Sequence, residues 1–182
     1  MILAVDPSIR EYGYAVLNVD DRKKKENWVE DSGCIKTSSD PDTRLKSKDR
    51  VHRVQNIFSE LNRICTMWGI EHVVSELPAG SQSATAAWTL GSVVGGTASL
   101  AISLDIDIDF FTLHECKQSV EGIDDTPEGV SKKEYVAIKM KDMYNAQWED
   151  TKYIDLAVSD SLAVFETAIQ KGVIDCGSDK SK

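Results

Sequence analysis

Long apolar runs are missing from this chain. The longest, Val93 to Leu104, falls short of the ~20 residues a membrane-spanning helix needs, and Gly, Ser and Thr interrupt it. The expectation is a protein with no membrane span. Paired cysteines are missing too. Cys34, Cys65, Cys116 and Cys176 lie far apart with no CxxC pair, a pattern that suits free thiols in a reducing cytoplasm, a host cell's cytoplasm if the chain is viral. The 3 histidines are scattered, which leaves zinc without a ligand set. No basic leader is present: Met1 runs straight into Ile2-Leu3-Ala4-Val5, so no signal peptide is expected. Positive charge is in deficit, with 21 Lys+Arg against 30 Asp+Glu and a net charge of -9. That excludes a sequence-blind, charge-driven nucleic-acid coat. It does not exclude a nuclease, whose metal-binding carboxylates add negative charge where the chemistry happens.

What is present is an ordinary globular composition, 182 residues with 41% hydrophobic and 28% charged. Length alone expects one domain, placed at 1–172, with 173–182 as a frayed tail. The apolar runs Ile2–Val5, Tyr12–Val19, Trp28–Thr37, Glu71–Glu76 and Ile106–Thr112 read as strands. Apolar residues from Leu45 to Trp68 recur at helical spacing, and Gly69 stops that helix. Further helices are expected over Ser81–Leu104, Glu115–Glu121, Ser131–Tyr144 and Leu156–Lys171. Strands, then helices alternating with strands, then closing helices fit an α/β layer with a mixed five-stranded sheet flanked by helices.

Carboxylates mark the ends of three of these elements. Asp6-Pro7 closes the first strand, where an aspartate projects from the sheet edge, and Gly13 in the next strand leaves room for a backbone, side chain or phosphate. Glu76 ends another apolar strand. If the two strands are neighbours, Asp6 and Glu76 repel unless a cation separates them, and Mg²⁺ held by carboxylates is the natural solution. Asp160 sits on an Ala/Leu/Val-rich helix face, where a carboxylate needs a partner or a metal.

Taken in order, Asp6-Pro7 with Gly13-Tyr14, Glu76, Thr89-Leu90-Gly91, Cys116 to Ile123 and Asp160-Ser161-Leu162-Ala163 resemble the RuvC family of Holliday-junction resolvases. The likeness runs from Ile2 to about Ile169. It implies an RNase H-like fold, a homodimer, two Mg²⁺ ions per site with Mn²⁺ able to substitute, and symmetric nicking of four-way DNA junctions. By resemblance, Asp6, Glu76 and Asp160 match catalytic metal ligands. Lys117 matches a lysine near the scissile phosphate, and Lys133 or its neighbour Lys132 a second one. The chain departs from the family pattern at three places. Ala157 stands where an acid or histidine is usual, three positions before Asp160. Leu77-Pro78-Ala79-Gly80 offers no aromatic to stack on crossover bases, and Ser8 replaces a glycine. Asp155 is the nearest acid that could replace the ligand missing at Ala157, but only if its helix begins after it, because five helical positions separate it from Asp160 by about 140°.

Arg44, Lys46, Lys48, Arg50 and Arg53 cluster at a helix start and are candidates to grip a DNA arm, with a solvated helix face as the plain alternative. The Arg22–Lys25 run reads as a solubilising hairpin tip. Asp105, Asp107 and Asp109 alternate with apolar residues as in an edge strand, and Gly91, Gly95 and Ser99 form a small-residue ridge suited to a dimer contact. Two other functional readings stay open: a nuclease for forks, flaps or other branched DNA, and a non-catalytic module that binds branched DNA or a protein.

Overall fold

The computed structural model describes residues 1–20, 22–80, 83–149 and 151–176. Strands β1 (Ile2–Asp6), β2 (Glu11–Leu17), β3 (Val29–Lys36), β4 (His72–Leu77) and β5 (Asp107–Thr112) form one sheet in the order β3-β2-β1-β4-β5. The β1–β2 and β2–β3 pairs are antiparallel, and β1–β4 and β4–β5 are parallel. Five helices flank it: α1 (Lys46–Trp68), α2 (Ala84–Ser103), α3 (Leu113–Gln118), α4 (Lys132–Met143) and α5 (Lys152–Gln170). The mixed five-stranded α/β architecture expected from the sequence is the observed one. The expected start of α2 at Ser81 lies outside the described residues.

The period-two alternation of β1 assigns its faces. Leu3 and Val5 pack with Tyr12, Val16, Ile57, Leu61, Ile64 and Val93 on the α1/α2 side. Ala4 packs with Ala15, Val158, Leu162 and Phe165 on the α5 side. The residues facing α5 are small for a reason visible at Gly13: a Cβ there would lie 2.2 Å from the Ala157 carbonyl oxygen. Sequence reasoning left open what approaches Gly13; it is the backbone of α5. That helix crosses β1 to β4, and its buried Ser159, Ser161 and Thr167 hydroxyls donate to the carbonyls four residues back.

Two expectations need correction. Val173 and Ile174 fold back to donate to the Ala168 carbonyl, and Ile174 is buried, so the chain stays packed beyond 172; the rest of the expected frayed tail, 177–182, lies outside the described residues. The second concerns α2. At 20 residues, it is long and apolar enough by length and composition to cross a membrane, longer than the run visible in the sequence. Its buried Val93, Thr97 and Ala101 pack on the α1 side of the sheet, and Tyr12 and Thr97 share a 2.8 Å hydrogen bond. The opposite face, with Gly91, Gly95, Trp88 and Ile102, is exposed.

Candidate active site

Asp6 and Glu76 are the last inward-facing residues of adjacent parallel strands. Val5 pairs with Ser75, so the next positions in register are Asp6 and Glu76, and both follow the faces of Ala4 and Val74 toward α5. Asp160 meets them from α5. The three carboxylates share a cleft of about 280 Å³ with Lys117, Lys133, Leu113, Cys116 and Val136.

The two lysines are placed by capping and tethering. Lys133 occupies the first turn of α4, which a reciprocal capping box between Ser131 and Glu134 fixes. Lys117 lies in the last turn of α3, opened by a second capping box between Thr112 and Glu115. The α3 end is lashed to α5: Gln170 donates to the Ser119 carbonyl at 2.6 Å, and Lys171 pairs with Glu115 at 3.1 Å. In the cleft, Lys133 Nζ lies 2.6 Å from Asp160 Oδ2.

Electrostatics explain that contact. Burial, then the charges of Asp160 and Glu76, push the Asp6 carboxyl well above the usual carboxylate range. Burial and Asp160 raise Glu76 from 4.5 to about 7, against the opposing pull of Lys133 and Lys117. Asp160 is also raised by burial, with Lys133 and Lys117 working against the shift. Three carboxylates in one partly dry cleft are therefore short of positive charge, and two lysines supply only part of it.

A hard divalent cation is what such a site calls for, and all-oxygen ligands fit Mg²⁺ in kind. Among the described residues, no group of three or more His, Cys, Asp or Glu is gathered tightly enough to hold a metal. Lys133 instead sits on one of the candidate ligands.

The structure brings Asp6, Glu76, Asp160, Lys117 and Lys133 together and leaves other candidates elsewhere. Asp155 is inside α5, because the helix starts at Lys152 and not at Leu156 as expected. Its carboxylate faces α4, accepting from Lys141 Nζ at 2.5 Å and from the Glu149 amide at 3.0 Å. It tethers α4, the helix that carries Lys133. Lys132 points away to Asp124 at 3.1 Å. Arg53 is a structural clamp: its guanidinium donates to Thr37 Oγ1 at 2.8 Å and to the Ile9 carbonyl at 3.1 Å. The other basic residues of that cluster divide between two grooves, Lys46 and Arg50 on one and Arg44 and Lys48 on the other. The Arg22–Lys25 run is neutralised, since each residue pairs with an acid, Lys25 reaching buried Glu166 at 2.6 Å. Sequence reasoning missed Leu113 and Val136 as cleft walls, because apolar residues in short helices look like ordinary core.

A central strand and its parallel neighbour, both ending in carboxylates that face an acid on a crossing helix, define an RNase H-like nuclease. The chain belongs to the RuvC family: the family model described as crossover junction endodeoxyribonuclease RuvC matches residues 2–168. Among named relatives, the RuvC of Acinetobacter baylyi is 26% identical over 145 residues, covering 80% of this chain and 71% of the relative. That of Chlorobium phaeobacteroides is 27% identical over 176 residues, covering 94% and 86%. The fold matches Thermus thermophilus RuvC, solved in complex with a Holliday junction substrate, with TM-score 0.69 and 18% identity over 94% of this chain and 96% of that one. It also matches the yeast mitochondrial Holliday junction resolvase, with TM-score 0.58 and 9% identity over 91% and 76%.

Proposed function

We propose that this chain is a Mg²⁺-dependent endonuclease that resolves four-way DNA junctions by paired, symmetric nicks. The observation that carries the reading is the convergence of Asp6, Glu76 and Asp160 with two lysines in one cleft, within a chain of the RuvC family. Asp6, Glu76 and Asp160 are the residues that would hold divalent metal; Asp155 and Ala157 are not among them. When bound, two such ions supply an activated water and charge neutralisation at the leaving oxygen. The chain's own part is to position and shield. Lys117 and Lys133 offer ammonium groups to the phosphate, and each neutralises negative charge as it accumulates. Leu113, Cys116 and Val136 wall the cleft with apolar surface, which strengthens those charge interactions.

A junction has two equivalent strands to cut, so a two-fold dimer with two clefts matches its symmetry. We place the dimer contact on α2, whose exposed face carries Trp88 at 49% and Ile102 at 74% exposure beside Gly91 and Gly95. A second copy, not a bilayer, covers that face in this reading. The substrate is held by phosphate contacts from Lys46, Arg50, Arg44 and Lys48 in addition to the cleft lysines, and the protein acts in the cytoplasm, where its DNA is.

The test is incubation with a four-way junction, a fork, a flap and plain duplex, with and without Mg²⁺. Paired nicks in the junction arms that require Mg²⁺ and spare duplex are expected. Faster cutting of forks or flaps would move the assignment to that substrate, and binding without cleavage under every metal would leave a non-catalytic module.

A further inference from the structure

A second hollow, of about 700 Å³, lies apart from the carboxylate cleft, between the β1–β2 turn and the first turns of α1 and α2. Its walls differ in kind. Pro7 is buried and Ile9 and Leu90 are half-buried, giving one apolar patch among hydroxyl-bearing residues, whereas Arg10 and Lys46 are exposed and Arg50 half-exposed. None of these three cations forms an ion pair among the described residues. Two acids also line it: Asp40, which keeps its charge while accepting from the Asp42 amide and Thr43 hydroxyl, and Asp49, which accepts from the Asp40 amide and lies 3.9 Å from Arg53. The Arg53 clamp on Ile9 and Thr37 braces the hollow from behind, so its shape is built in.

We infer that this hollow takes one unpaired nucleotide from the branch point of the DNA, its phosphate on Arg10, Lys46 and Arg50 and its base against Pro7, Ile9 and Leu90. The inference rests on the junction-resolving reading and adds a subsite to it. A duplex backbone alone does not suit the hollow. It would lie across the mouth as a ridge of phosphates, satisfying the cations but leaving the apolar patch of Pro7, Ile9 and Leu90 uncovered. A nucleotide turned out of its stack fills both parts, and unstacking costs least where pairing is already broken, as at a crossover. The position also fits. Pro7 directly follows Asp6, so the hollow and the cleft sit at the same end of β1 on opposite faces of the sheet. The loop after Glu76 carries no aromatic to stack on a displaced base, and this hollow offers a different place for one.

The experiment uses the full chain carrying Asp160→Asn and four-way junctions with 2-aminopurine at each position flanking the crossover in turn. Anisotropy reports binding, and 2-aminopurine fluorescence reports unstacking. Wild-type walls should brighten the probe severalfold at one crossover position. Ala86→Leu, which fills the hollow, should reduce that signal while junction binding persists, and Arg50→Gln, which removes a phosphate contact and weakens binding, should still reduce it once enough protein is added for anisotropy to saturate. If the junction binds but no position brightens, or both variants brighten it as fully as the parent, the nucleotide subsite is wrong and the resolvase reading stands. If anisotropy shows no preference for junction over duplex, the resolvase reading falls and the subsite falls with it.

Discussion

Removing Glu76 should make the metal-free protein more stable while abolishing its activity. Burial and the Asp160 charge raise the Glu76 carboxyl from 4.5 to about 7, a net shift that already includes the favourable pull of Lys133 and Lys117. The sign follows from proton binding. Between pH 4.5 and about 7 the folded protein holds a proton on Glu76 that the unfolded chain has released. Stability therefore falls as pH rises through that window, and the full penalty is present above it. At about 1.4 kcal/mol per pH unit, ionised Glu76 costs the fold about 3 kcal/mol at pH 8. Glu76→Gln keeps the shape and removes the ionisation. In a domain of this size that corresponds to a melting temperature about 6–12 °C higher. The assay is thermal and urea unfolding of chelated wild type and variant from pH 4.5 to 8. The variant should gain stability with rising pH relative to wild type, and the two should converge near pH 4.5. Added Mg²⁺ should raise the melting temperature of the wild type more than that of the variant. A variant that melts with or below wild type at pH 8 would refute the argument, because the carboxylate would then not be strained by its surroundings.

Asp155→Asn should leave the Mg²⁺ concentration for half-maximal cleavage unchanged but cost about 1–3 kcal/mol in urea unfolding, since Lys141 and the Glu149 amide lose a charged acceptor; a raised Mg²⁺ requirement would return Asp155 to the site. Gly13→Ala forces a Cβ to within 2.2 Å of the Ala157 carbonyl, so α5 must lift, with roughly 1–3 kcal/mol lost to overpacking and cleavage impaired as Asp160 shifts. A variant with unchanged melting temperature and rate would show that α5 does not rest there. Gly95 has open space around it, whereas a Cβ on Gly96 meets Phe58 at 2.3 Å. Gly95→Leu should fold normally yet sediment as a monomer, while Gly96→Leu should destabilise the fold itself; a fully dimeric Gly95→Leu would move the interface off this ridge.

The sequence by itself determined the element order, the sheet strands, the two carboxylates near strand ends and a third on the last helix. These are local properties: period-two and helical spacing, a proline or glycine that stops an element, an acid where an apolar run ends. The RuvC-family resemblance rested on the same residues in the same order. Four matters needed the tertiary structure. Whether Asp155 joins the site depended on where α5 begins, and α5 begins at Lys152 because its first turn is held against α4 by the Lys141–Asp155 and Lys152–Glu134 pairs, contacts between residues distant in the chain. Which of two adjacent lysines enters the cleft was a question of helix phase, and the Ser131 cap turned Lys133 inward and left Lys132 to Asp124. Whether a basic cluster is free to meet DNA depended on pairing across the fold: Arg53 looks like Arg50 in sequence, yet the Ile9 carbonyl and Thr37 hold it, and Arg50 stays unpaired among the described residues. Last, the hollow at Pro7 and Arg10 belongs to no single segment, since its walls come from three parts of the chain that only folding brings together.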